Sequence, residues 1–196
     1  MGRWEPGARE RLREAALQLY ATRGFDETTV ADIADAVGLT ERTFFRHFGD
    51  KREVLFGGQE VLERSFVAGV AGAPAAVPPL AVVASSIVAA CEFFTDDRRA
   101  HSRLRQGVIA ANAELREREL LKMASLAAAL AAALHERGEA EPSATLSAES
   151  GVTVFRVAYE QWIREGDERA LTDIVSEIFA ELGALTAAAS GGSAAG

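Results

Sequence analysis

The chain has 196 residues, 48% of them hydrophobic, and a formal net charge of −8, enough apolar material for one or two buried cores and too much for a chain disordered throughout. A single cysteine, Cys91, excludes an internal disulfide, no charged segment followed by an apolar stretch opens the sequence, and the apolar run around residues 68 to 91 is cut by Pro74, Pro78 and Pro79, so a cytoplasmic protein without a membrane span is expected. The acidity is unevenly spread: residues 1–56 carry nine basic against ten acidic side chains and residues 57–196 twelve against nineteen, which places any contact with an anionic partner in the first quarter.

Apolar residues recur at spacings of three and four and strand signals are nearly absent, so the chain reads as all-α. After a flexible arm at 1–8, a first helix puts Leu12, Ala15, Ala16, Leu19 and Tyr20 on one face and ends at Gly24. A second starts at Thr29, with Asp32 completing a capping box, and buries Val30, Ile33, Ala34 and Val37. Gly38 ends it, and Thr40 caps a third, short helix running to about Phe48, with Leu39 placed to pack on Phe44 as a hydrophobic staple. Asp50 starts a fourth helix that continues through Val54, Leu55, Val61, Leu62 and Phe66, with Gly57 and Gly58 inside it. That glycine pair is open to two readings, a hinge that lets the helix bend or room for close packing against the first helix. A linker at 69–79 follows, then helices near 80–95, 98–111, 114–137, 147–165 and 168–187, the first and third apolar on most of their circumference as suits the centre of a bundle. The small-residue tail at 188–196 reads as disordered.

Two helices joined by a short turn with a glycine form a helix-turn-helix, whose second helix can enter a DNA major groove. With Phe44 and Phe48 turned inward, the other face of that helix carries Glu41, Arg42, Thr43, Arg46 and His47, with Phe45 at its edge. Arg42 and Arg46 suit a guanine edge or a phosphate, His47 can donate to phosphate, and Thr43 offers a methyl for thymine and a hydroxyl. Lys51 stands just past the helix, and Thr29 and Thr40 sit at helix starts, whose free N–H groups attract phosphate. From Thr40 to Arg52 there are four basic residues against two acidic, a local excess within an acidic whole. The alternative, a solvated helix face without a partner, competes for each charge singly but does not explain the cap, staple, turn and core phenylalanines together.

The stretch TTVADIADAVGLTERTFFRHFGDKREVLF at 28–56, preceded by TRGF at 22–25, resembles the DNA-binding domain of the TetR family of bacterial transcriptional regulators. The resemblance covers residues 9–56. It implies a homodimeric all-α protein: a three-helix N-terminal DNA-binding domain with a helix-turn-helix at 9–56, and a helical-bundle effector and dimerisation domain at 57–187. It also implies a repressor that binds an inverted-repeat operator and is released by a small effector. Thr29, Thr40, Arg42, Thr43, Phe45, Arg46, His47 and Lys51 fall where members of the family contact DNA. Phe45 departs from a tyrosine common there, which removes a hydrogen bond to phosphate. ANAELREREL and the helix ending HERG at 111–138, with VFRVAYEQWIREG at 154–166, resemble the mycofactocin-regulator-like branch, some of whose members respond to acyl-coenzyme A, so an apolar or acyl-type effector is implied.

Within the second half, Cys91, Phe94, His101 and Arg105 are the candidates to line an effector site, against plainer roles as a core histidine and a surface-paired arginine. Phe155, Tyr159, Trp162, Ile174, Ile178 and Leu182 form two apolar stripes near the chain's end, suited to the implied dimer interface or to closing the protomer's own core. No GxSxG, HExxH, phosphate loop or Cys/His cluster is present, so neither an enzyme nor a bound metal or cofactor is expected. The remaining alternatives are a helical protein-interaction module without specific DNA binding and, less favoured, an enzyme whose site is assembled from distant carboxylates.

Overall fold

A computed structural model of the chain describes residues 7–191. Among these the chain forms ten α-helices and no strand: α1 (Ala8–Arg23), α2 (Val30–Asp35), α3 (Glu41–His47), α4 (Glu53–Phe56), α5 (Gln59–Gly72), α6 (Pro79–Cys91), α7 (Asp96–Ala111), α8 (Ala113–Glu136), α9 (Ser143–Trp162) and α10 (Leu171–Gly191). No single described helix is long and apolar enough to cross a membrane. Most of the expected arm and tail lie outside the described residues, although Ala8 already begins α1 and α10 runs to Gly191.

The helices divide into two compact units. One takes the chain up to Glu60 together with His101–Leu121; the other takes Val61–Ala100 and everything from Lys122 onward. The boundary therefore does not follow the expected split after residue 56, because the second part of α7 and the start of α8 pack with the N-terminal helices.

In the first unit, Leu12, Leu17, Tyr20, Phe25, Ile33, Phe44, Phe48 and Leu55 make one buried cluster, completed by Val108, Ile109 and Leu115. Gly24 ends α1 at φ 96°, its N–H returning to the Tyr20 carbonyl. Gly38 at φ 66° turns the chain between α2 and α3, which lets the Leu39 N–H bond the Ala34 carbonyl at 2.9 Å. The single fourth helix expected from the pattern is two. Gly57 adopts an extended ψ of 126° and Gly58 a φ of 105°, a conformation open to glycine and strained for other residues, so the α4 ladder stops at Phe56. A Cβ at Gly57 would lie 3.2 Å from Arg13 Nε, so the packing reading of the glycine pair has a concrete neighbour on α1.

In the second unit, α6, α9 and α10 pack on one another around Val83, Ile87, Ala148, Phe155, Trp162, Ile174 and Val175, with Phe66 of α5 and Leu126 and Leu130 of α8. The expected linker is shorter than its glycines and prolines suggested, since α5 continues through Gly69 to Gly72. Gly69 is there for contact. Ser86 of α6 donates its hydroxyl to the Phe66 carbonyl at 2.5 Å, which draws the two helices together at this point.

A methyl group at position 69 would sit 2.8 Å from Ser86 Cβ and 3.1 Å from Ser86 Cα. Gly69→Ala is expected to lower stability by about 1–3 kcal/mol through overpacking. Gly107→Ala, inside α7 with nothing within 4 Å of the added carbon, is expected to raise it by roughly 0.4–1 kcal/mol. Urea unfolding of both variants checks the pair, and equal effects at the two sites would reject the close α5/α6 approach.

Candidate functional site

Thr29 caps α2 in a reciprocal box: the Asp32 N–H donates to Thr29 Oγ1 at 3.1 Å and the Thr29 N–H donates to Asp32 Oδ2 at 2.8 Å. The bond from the Thr29 hydroxyl, then that from its backbone N–H, hold the Asp32 carboxyl below its usual range, with Arg23 adding to the effect. Thr40 caps α3, accepting from the Thr43 N–H at 3.3 Å. The hydroxyls of Thr29 and Thr40 are thus engaged in holding the two helices.

Phe44 is fully buried and Phe48 nearly so, their rings 5.3 Å apart, while Leu39 packs on the same cluster. This burial fixes the opposite face. Glu41, Arg42, Phe45 and Arg46 are exposed, and Thr43 and His47 are half-buried at its edges. Phe45 is 54% exposed, with the edge of its ring against Phe44, so it offers an apolar surface and no hydrogen-bond donor. Arg42 and Arg46 have no ion-pair partner among the described residues. Their guanidinium groups keep all their donors for a ligand.

Two residues expected on this face are placed otherwise. Lys51 turns its ammonium inward, donating to the carbonyls of Phe25 at 2.9 Å and Thr28 at 3.1 Å and lying 4.3 Å from the centre of the Phe25 ring. The segment between α1 and α2 turns the carbonyls of Phe25, Asp26 and Thr28 to one point, of which only that of Phe25 also accepts a backbone N–H, from Thr28, and one ammonium bonds them together. The buried Tyr20 hydroxyl, its pKa pushed up by burial, donates to the Lys51 carbonyl at 2.6 Å and locks the same corner. His47 has Nε2 shut away from solvent without a hydrogen-bond partner, so this nitrogen does not point outward to a phosphate.

The candidate effector residues fall into two groups. Cys91 and Phe94 belong to the apolar core of the second unit, and burial pushes the Cys91 thiol up to about 12. His101 and Arg105 are in the first unit and do not join them. His101 is exposed, its Nδ1 3.4 Å from Glu14. Arg105 donates through Nε to the Leu55 carbonyl at 2.7 Å, pairs with Glu119 and stacks on Phe56. It closes the end of α4, where the glycine pair leaves a carbonyl without a helical partner.

Of the stripe expected to form a dimer face, Phe155, Trp162 and Ile174 are buried within the protomer, and Tyr159, Ile178 and Leu182 are partly buried against the same core. Large apolar side chains left exposed on α9 and α10 are Leu146, Val157 and Leu185. One residue the sequence did not single out is Arg99. Its guanidinium lies 5.1 Å from the Trp162 ring and donates to the carbonyls of Asp167 and Arg169 and to Asp96, which ties the α9–α10 loop to the start of α7. The i,i+3 spacing of Asp96 and Arg99 was the only local hint. No group of His, Cys, Asp or Glu among the described residues could hold a metal ion.

The family model described as bacterial regulatory proteins, tetR family, matches residues 12–56, and the model of the MftR C-terminal domain matches residues 77–187. The HTH-type transcriptional regulator TcmR of Streptomyces glaucescens is 40% identical over 72 residues, 37% of this chain and 32% of that protein. The HTH-type transcriptional repressor KstR2 of Rhodococcus jostii is 41% identical over 49 residues, 25% of this chain and 24% of that protein. The matched segments thus span a third or less of these curated relatives. In fold, the chain is similar to SmeT, the repressor of the Stenotrophomonas maltophilia multidrug efflux pump SmeDEF, with a TM-score of 0.55 and 16% identity over 86% of this chain and 85% of that one.

The Asp32 carboxyl generates a pH test. A carboxyl whose folded pKa is depressed adds stability above its unfolded pKa, near 3.8, and that stability is lost as pH falls through the lower folded value. Asp32→Asn is therefore expected to melt below the wild type at pH 7, with the gap closing as the pH is taken below about 4. Thermal melts followed by circular dichroism check this, and a gap independent of pH would show that the carboxylate is not what holds α2.

Proposed function

The chain belongs to the TetR family of bacterial regulatory proteins, with an MftR-type C-terminal domain, and from that premise we propose that it is a ligand-responsive transcriptional regulator that represses by binding an inverted-repeat operator as a homodimer. The family is one of regulators rather than enzymes, so the catalytic alternative falls away. The observation that carries the DNA-binding reading is the pair of exposed, unpartnered guanidinium groups of Arg42 and Arg46 on a helix whose reverse face is anchored by Phe44 and Phe48.

In this reading Arg42 and Arg46 reach base edges or phosphates, Thr43 contributes a methyl and a hydroxyl at the groove, and Phe45 makes apolar contact with sugar or a thymine methyl. Glu41 lies in the first turn of α3, where a carboxylate suits the helix dipole, and it discourages approach to phosphate on that side. Lys51 serves as an internal clamp, and its contribution to DNA contact passes through the shape it gives the corner between α1, α2 and α4. A dimer would place two copies of α3 on one face of the duplex, about 34 Å apart. The exposed Leu146, Val157 and Leu185 on α9 and α10 support those helices as the pairing surface.

Release would follow from an apolar or acyl-type effector in the core of the second unit. A ligand changes DNA affinity only if it binds the non-fitting conformation better than the fitting one. α7 and α8 contribute residues to both compact units, so they are the elements through which such a preference would be felt at Arg105 and the end of α4.

Fluorescence titration with genomic fragments is expected to give a preferred inverted repeat, protected symmetrically in a footprint. Arg46→Ala is expected to cost about 1–3 kcal/mol and to relax the preference at one base position in each half-site. Equal weakening on all sequences would reassign Arg46 to phosphate, and no preference over random duplex in the wild type would overturn the regulator reading.

A further inference from the structure

Within the second unit, the four residues between α6 and α7 carry two adjacent phenylalanines with different surroundings. Phe93 is exposed, whereas Phe94 turns its ring into the core. It meets Phe155, Tyr159 and Trp162 at centroid distances of 6.0, 5.6 and 5.8 Å, so one ring from a surface loop joins an aromatic cluster built by α9 and Phe66 of α5. Trp162 is fully buried, and its indole Nε1–H has no hydrogen-bond partner among the described residues. An indole N–H is a donor only, and leaving it unpaired in an apolar site is costly.

We propose that the place taken by the Phe94 ring is the seat of the effector's apolar body, and that the Trp162 indole N–H is the donor that recognises a neutral carbonyl oxygen on that molecule. This rests on the effector reading above and adds to it the ligand's chemistry and the residue that reads it. Three observations converge on the seat. The plug comes from a short loop with a partly exposed ring, so it can leave without unwinding α6 or α7. The orphaned donor belongs to the indole whose ring centre lies 5.8 Å from that of Phe94. The cation that lies over the Trp162 ring, Arg99, is already committed, with its donors on the carbonyls of Asp167 and Arg169 and on Asp96. It offers a carboxylate no free counter-charge, whereas a ketone, ester or thioester needs only the indole donor. Phe94 then acts as an internal competitor, lowering apparent affinity by the fraction of time it fills the seat.

The test uses the full-length protein with indole-15N tryptophan and two probes of similar size, acetophenone, which has a carbonyl, and cumene, which has none. The Trp162 indole resonance is assigned as the one missing from Trp162→Phe, the other belonging to Trp4. Acetophenone is expected to move the Trp162 N–H signal downfield while cumene does not, and Phe94→Ala is expected to tighten acetophenone binding by about tenfold. Phe94→Leu, a smaller change in volume, shows the same direction should the alanine variant not fold. A Trp162 signal unmoved by acetophenone in wild type and Phe94 variants alike, or moved equally by both probes, overturns the seat. A seat that fills with the expected shift while operator affinity stays constant supports the seat and sinks the effector reading, so the two fail separately.

Discussion

A helix of seven residues is far below the length at which a helix is stable alone in water, so everything asked of α3 depends on what holds it from behind. Phe44 and Phe48 insert into the core of the first unit, Thr40 supplies the cap and Gly38 the turn, and each acts on a different degree of freedom. The phenylalanines set which face is outward, the cap sets where the helix starts, and the glycine sets the angle at which it leaves α2. Remove the burial, and the exposed arginines lose their common direction. The charged face is therefore a product of the apolar one.

A second constraint runs through the corner where the chain leaves α1. Phe25, Asp26 and Thr28 leave carbonyls there that no helix satisfies, and the Lys51 ammonium gathers them while the Tyr20 hydroxyl bonds the Lys51 carbonyl. A basic residue close to the recognition helix thus acts inwardly. Arg105 does the same for the Leu55 carbonyl and Arg99 for the α9–α10 loop. In each case a long cationic side chain closes irregular backbone at the end of a helix.

The helix-turn-helix was legible because its signals are local: Thr29 and Asp32 three apart, Thr40 before its helix, Gly38 between, and phenylalanines at a spacing of four. The seat of Lys51 was not, since its partners are some 25 residues away and a lysine after a recognition helix looks the same whether it faces in or out. The glycine pair showed that a break was near, and only the φ of Gly58 showed that the helix stops outright. The stripes on α9 and α10 were read correctly as apolar, but periodicity alone does not say whose core a stripe enters, and Phe155, Trp162 and Ile174 enter their own. His101 and Arg105 were drawn toward the second unit by proximity in sequence to Cys91, whereas α7 itself passes from one unit to the other between them.

The burial of Cys91 has a consequence for the kinds of stimulus this protein can register. Burial pushes its thiol up to about 12, so the thiolate, the form that peroxides and electrophiles attack, is scarce at neutral pH. The one thiol of the chain is thus held in its poorly reactive protonated form. Oxidative or electrophilic stress would therefore find a poor covalent handle at this position.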